Sequence, residues 1–244
     1  MASRAELDAQ AAAQATVVAT AWAQFQAAYA GLGLTPAQLA TNEGIQALRD
    51  LFADFIAAWG EVAGTLAADF YDELRDQAGI PGSFQALVPD PLDSAQVDGI
   101  VSWAVTPPRD VDELDIETML AKIEGASQRL IRQAQRDALN ESARRDPARP
   151  RVARIPMGAE TCAFCLVLAS RGYVYRSETS AGRNNSYHDF CDCEQDVTWS
   201  SNPEPPDGYD PGELYGKYDA ARRAAGSSDL RKILRELRLQ EGIR

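Results

Sequence analysis

Residues 143–150 read Ala143-Arg144-Arg145-Asp146-Pro147-Ala148-Arg149-Pro150. The run is polar and proline breaks it twice. Proline donates no backbone hydrogen bond and turns the residue before it away from helix. We read 144–151 as an Arg/Pro-rich linker or hinge between two units of different character. Residues 1–143 before it form a helical region. Residues 152–244 after it form a small cysteine-rich α+β domain that ends in helices. The fold class expected is α+β, with the helices gathered at the N-terminal end.

The N-terminal side carries the helical signal. Residues 5–30 are rich in Ala, Gln and Leu and lack Gly and Pro until Gly31, which favours helix. Val18, Trp22, Phe25 and Tyr29 recur every three or four residues and make one apolar stripe. Thr35-Pro36 reads as a cap followed by proline in the first turn. Residues 44–78 repeat the pattern through Leu48, Leu51, Phe52, Phe55, Ile56, Trp59, Val62, Ala63, Leu66, Phe70 and Leu74. They predict one long helix, or two joined near Gly60 or Gly64. Residues 80–115 are punctuated by prolines, with room for a short helix at 93–105. Residues 112–142 predict another helix. The tryptophans Trp22, Trp59 and Trp103 sit on apolar helical faces and are expected in the core. Beyond the linker, Val152–Pro156, Tyr173-Val174-Tyr175 and Val197-Thr198-Trp199 read as short strands. Residues 178–186 read as a loop, and 213–225 and 228–241 as two terminal helices.

The 244 residues can bury a core without staples, and 45% apolar with 25% charged residues is ordinary for a globular chain. No uninterrupted apolar run reaches the 18 or so residues that cross a bilayer, and the first residues lack the apolar core of a signal peptide. Neither a membrane partner nor an oxidising compartment is expected. The formal net charge of −12 argues against a general nucleic-acid binder. That charge is uneven. Residues 126–154 carry eight Arg against Asp137, Glu141 and Asp146, and residues 222–244 carry seven cations against three acids. Solvated helix faces account for such segments. So does docking on an acidic surface, and Arg144, Arg145, Arg149, Arg151 and Arg154 are the strip expected to make that contact.

All four cysteines lie within residues 162–193, and the single histidine lies among them. Cys162 and Cys165 form C-x-x-C. His188, Cys191 and Cys193 form H-x-x-C-x-C. A tight C-x-x-C turn aims two thiolates at one ion. The five candidates Cys162, Cys165, His188, Cys191 and Cys193 exceed by one the four ligands that zinc takes, so four of them would hold a structural zinc. Two other readings remain open. The cysteines could form disulfides, or His188 could activate Cys191 or a nearby serine for catalysis. Ser170, Ser177, Ser180 and Ser186 lack a nucleophile frame. Asp189, Asp192 and Glu194 read as exposed loop charges, with a lesser claim as acceptors for the ligands. The residues support no catalytic assignment and no organic cofactor.

The runs Arg154 to Leu166 (R-I-P-M-G-A-E-T-C-A-F-C-L), Ser170 to Tyr175 (S-R-G-Y-V-Y) and Tyr187 to Cys193 (Y-H-D-F-C-D-C) resemble, in order, the C-terminal motif of the phage Mu F-like minor head proteins. The Ala-rich helical N-terminus, a Y-D-x-x-R segment at Tyr71 to Arg75 and the P-D-G-Y-D-P stretch at Pro206 to Pro211 are similar to the version carried by tailed phages of actinobacteria. The specific part spans about 40 residues. The resemblance implies a minor capsid protein that acts in head morphogenesis. Its partners would be the portal and the major capsid protein, with several copies around the portal and packaged DNA as a further partner of the Arg-rich strip. Such a protein is made in the host cytoplasm and resides in the virion, at the capsid interior or portal vertex. Relatives in those phages are often labelled capsid maturation protease, so processing of scaffold or capsid protein is the alternative activity. With one histidine, any such enzyme has to use His188.

Overall fold

A computed structural model describes residues 1–90, 94–107, 113–158, 161–174, 189, 191 and 193–243. The described elements are α1 (Arg4–Leu32), α2 (Pro36–Leu39), α3 (Asn42–Gln77), α4 (Ser94–Ala104), α5 (Ile116–Arg145), β1 (Arg151–Ile155), α6 (Ala163–Ala169), β2 (Glu194–Thr198), α7 (Pro211–Ala225) and α8 (Leu230–Glu241). The fold is α+β: a long helical region first, then a two-stranded sheet and three helices around the cysteines. β1 and β2 pair antiparallel, from Arg151 opposite Thr198 to Ile155 opposite Glu194.

The helices start where side chains satisfy their first backbone N–H groups. Ser3 and Glu6 make a reciprocal capping box on α1, and Thr35 and Gln38 make another on α2. Thr41 caps α3, close behind α2. At Gly44 a Cβ would stand 2.1 Å from the Gln38 carbonyl oxygen, so only glycine lets the two helices meet. α3 runs unbroken through Gly60 and Gly64. Gly64 lies beneath Pro89, whose Cδ would stand 3.0 Å from an added Cβ. That glycine makes room for the proline-rich strap rather than ending the helix.

Among the described residues, three large apolar clusters hold the elements together. The first joins α1, α3, α4 and α5 through Phe25, Phe52, Phe55, Val101, Met119, Ile123 and Leu130. Phe25 stacks in a tilted pair with Phe55 at 5.0 Å and meets Phe52 edge-on at 6.0 Å. The second cluster crosses the expected linker: Leu7, Phe70, Tyr71, Leu74 and Leu139 pack with Val152, Ala153, Ile155, Tyr173 and Val197. The third seats α8 on α6 and α7 through Leu166, Val167, Ala221, Ile233 and Leu237. α3 has the length and composition of a membrane-crossing helix. Here its stripe of Leu48, Phe52, Phe55 and Ile56 is buried in the first cluster, and Asp50, Asp54 and Glu61 line its exposed side.

Several expectations change in detail. α5 runs on to Arg145, so Arg144 and Arg145 belong to its last turn and pair with Glu141. Arg154 lies in β1 and is buried. Tyr173 and Val174 follow α6 in irregular chain, not a strand. Tyr173 is spent instead on a buried hydrogen bond from its hydroxyl to Asp196. Tyr175 and the expected loop at 178–186 lie outside the described residues. Trp103 is about half exposed, with the Lys122 ammonium 5.1 Å above its ring, rather than in the core.

Asp146, in the middle of the expected linker, ties the two regions together. Its Oδ2 accepts from Arg75 Nε at 3.1 Å, Tyr71 Oη at 3.0 Å and Trp199 Nε1 at 3.1 Å. Its Oδ1 accepts from the Ala148 backbone N–H at 2.8 Å. The Y-D-x-x-R segment therefore places both its tyrosine and its arginine on one carboxylate. In the P-D-G-Y-D-P stretch, Tyr209 donates to the Ala169 carbonyl at 2.6 Å and Asp210 caps α7.

Candidate metal centre

Three elements bring the cysteines together. Cys162 is the N-cap of α6, its sulfur accepting from the Cys165 backbone N–H at 3.3 Å. This is the geometry serine or threonine would adopt there. Cys165 then sits in the first turn of α6. Cys191 and Cys193 lie on the chain that enters β2, held by its pairing with β1. The ligand atoms of Cys165, Cys191 and Cys193 all lie within 4.8 Å of one another, and all three residues are buried. Cys165 and Cys191 approach with Sγ atoms 3.6 Å apart. Cys162 packs against this group at its more open side. All four cysteines are free thiols. The buried group Cys165, Cys191 and Cys193 could hold a metal ion.

Mutual hydrogen bonding shapes the chemistry of the sulfurs. Contacts from Cys165 and Cys193 hold Cys191 well below the usual thiol range, helped by the Arg136 and Arg154 charges. Cys165 is pushed up by its hydrogen bonds to Cys162, Cys191 and Cys193 and by burial. Cys193 gains from its contact with Cys165, yet its contact with Cys191 and its burial raise it. Of these three sulfurs, Cys191 is the one whose contacts favour the thiolate. Converging thiols that share protons in this way suit a cation that replaces those protons.

Around the sulfurs lies a buried polar shell. Arg132 Nη1 reaches the Cys191 carbonyl at 3.4 Å and Glu194 Oε1 at 3.3 Å. Arg136 Nη2 reaches the carbonyls of both Cys191 and Cys193 at 3.2 Å. Gln135 donates to Glu194 Oε2. Burial raises the Glu194 pKa, while Arg132 and Arg136 oppose that. Glu194 is therefore not the exposed loop charge expected of it. Asp189 accepts from Arg129 Nε at 2.8 Å. It also packs over Gly125, where a Cβ would come within 3.1 Å of its Oδ2.

His188 and Asp192 lie outside the described residues, as do Ser177, Ser180 and Ser186. Ser170 is buried at the end of α6 and donates to the Val167 carbonyl. Arg132 and Arg136 were not singled out from the sequence. The signal was present: Arg129, Arg132 and Arg136 recur at spacings of three and four, on one face of a helix. Of the Arg-rich strip, Arg144 and Arg145 are engaged by Glu141, Arg151 donates to the Ser201 carbonyl at 3.3 Å, and Arg154 faces inward.

No curated protein and no solved structure gives a significant match to this chain. A protein-family model does match, over residues 1–221, and it is described as the VG15 protein. That match takes in the helical region, the sheet, the cysteines and most of α7. The chain therefore belongs to the VG15 protein family, a family of phage proteins.

Proposed function

We propose that this chain is a minor capsid protein of a tailed bacteriophage, acting in head morphogenesis at the portal or the inner face of the shell. We propose further that a structural zinc ion staples its C-terminal unit. The observation that carries this reading is the convergence of both halves of the C-x-x-C and C-x-C motif into one buried cluster. That motif is the part of the sequence that resembles the Mu F-like minor head proteins, and the family match supports a phage origin.

Zinc suits the donor set. With Zn–S bonds of about 2.3 Å, the edge of a tetrahedral site is about 3.8 Å. The 3.6 Å between the Cys165 and Cys191 sulfurs is close to that edge, and far from the roughly 2.05 Å of a disulfide bond. The fourth ligand is Cys162 or His188. The ion would hold α6 to the start of β2 and close the chain between Cys165 and Cys191. A closed four-ligand site leaves no open position for a catalytic water, so the centre supports structure rather than hydrolysis. The helical region supplies the surface for the portal and the major capsid protein.

The test pairs two measurements. Heads of the phage that encodes the chain are compared with heads made without it, and the intact mass of the major capsid protein is taken in both. We expect the chain in purified heads at low copy number, misassembled heads in its absence, and an unchanged capsid-protein mass. A capsid protein shortened only when the chain is present would replace this reading with a maturation protease. Metal analysis of the purified chain should give about one zinc per molecule, and a metal-free protein would overturn the zinc assignment.

A further inference from the structure

Arg136 is 1% exposed and reaches from α5 across to the chain that carries Cys191 and Cys193. Its Nη2 serves the carbonyls of both cysteines at 3.2 Å. In a flat strand, residues two apart stand about 6.6 Å from each other. Their sulfurs do not then converge unless the chain curves. A single nitrogen that engages both carbonyls enforces that curve. Arg132, one turn earlier, grips the Cys191 carbonyl with Nη1, and the same nitrogen also meets Glu194 Oε1. Gln135 donates to the other oxygen of Glu194. The Glu194 carboxylate is therefore held at both oxygens, one of them by Arg132.

We propose that Arg136, with Arg132 beside it, is the positioning residue of the cysteine centre: it pre-forms the Cys191/Cys193 half-site and places positive charge beside a thiolate-rich ion. This rests on the metal reading given above. A divalent ion with three or four thiolates carries a net charge of −1 or −2. Such a centre is costly to bury unless cations lie near it. Guanidinium groups suit the task, because they stay charged and spread several donors over a rigid plane. A lysine would supply the charge but not the two-carbonyl grip. The placement also has a mechanical consequence. The cations come from α5, which packs along α3, so metal binding acts on the helical region and not only on the cysteine unit.

The test uses the full chain as wild type, Arg136→Lys, Arg136→Met and Arg132→Met. Zinc affinity is measured by competition with a chromophoric chelator. Cobalt(II) loading reports thiolate ligation through its charge-transfer band, and melting is followed with and without metal. Groups that hold metal ligands in place are each worth about 10–100-fold in affinity. We expect Arg136→Met to weaken zinc by that factor and to dim the cobalt charge-transfer band. Arg136→Lys should fall between it and wild type. A residue that merely packs would lower the melting temperature equally with and without metal, and would leave zinc affinity unchanged. That result overturns the proposal. If Arg136→Met does not fold, Arg136→Lys and Arg132→Met carry the same comparison. A wild type that takes up neither zinc nor cobalt would overturn the metal reading itself, and a wild type that binds both separates the two failures.

Discussion

Replacing Asp146 with Ala should cost this protein about 4 kcal/mol, more than an ordinary surface change by nearly an order of magnitude. The estimate comes from what the carboxylate holds. The Asp146 side chain is fully buried, and its ion-pair partner Arg75 is 5% exposed. Removing the acceptor strands a buried guanidinium, which costs about 3–5 kcal/mol. Arg75 still donates to the carbonyls of Ile80 and Pro81, which keeps the loss toward the middle of that range. Tyr71 and Trp199 each lose a partner as well. For a chain of this length about 4 kcal/mol lowers the melting temperature by about 12 °C. Urea unfolding followed by circular dichroism measures the difference. Acid supplies a second check. Burial opposes ionisation of Asp146, but the Ala148 N–H, Arg75, Tyr71 and Trp199 together hold its carboxyl below the usual range. A carboxyl depressed on folding contributes stability above its unfolded pKa of about 3.9, and that contribution is lost as pH falls through the folded value. The gap between wild type and Asp146→Ala should therefore be constant near neutrality and narrow only below pH of about 4. A gap under about 1 kcal/mol at pH 7 would show that the buried pair contributes no more than a surface one.

Two further substitutions probe other parts of the fold. Tyr209→Phe removes the hydroxyl that donates to the Ala169 carbonyl and should cost about 1 kcal/mol by urea midpoint; an unchanged midpoint would mean the bond contributes nothing. Leu237→Ala empties a fully buried site beneath α8 and should cost about 3 kcal/mol. Limited trypsin digestion should then cut first at Arg235 or Arg238, and a wild-type digestion pattern would refute the seating of α8 on α6.

Local pattern carried much of the fold. The stripes through Val18–Tyr29 and Leu48–Leu74 mark α1 and α3, because apolar residues every three or four positions have one stable use. The glycines in α3 were harder, since Gly64 is explained only by Pro89 lying across it. Tyr173-Val174 has strand composition, but the Tyr173 hydroxyl donates to the buried Asp196 instead. The cysteine cluster was visible as spacing, because a turn joins C-x-x-C locally. The approach of Cys165 to Cys191 depends on the sheet. The buried polar residues were the least legible. Arg132, Arg136, Glu194 and Asp146 are charged, and charge in a sequence reads as surface. Only long-range partners, such as Asp146 with Tyr71 or Glu194 with Arg132, reveal them as interior.

The second apolar cluster sets an order on synthesis. Leu7 and Ala2 lie at the start of the chain, yet they pack where β2 arrives, and the Ala2 N–H donates to Asp196 at 2.9 Å. Until the β1 and β2 segments are made, the face of Leu7, Phe70, Tyr71 and Leu74 lacks the cover of Val152, Ala153, Ile155 and Val197. The contact from Ala2 to Asp196 spans 194 residues of chain. Contacts of such separation are slow to close. A fragment cut at the Arg/Pro-rich run would keep Leu139 over that face but lose Val152, Ala153, Ile155 and Val197, and it would aggregate rather than behave as a free-standing helical domain.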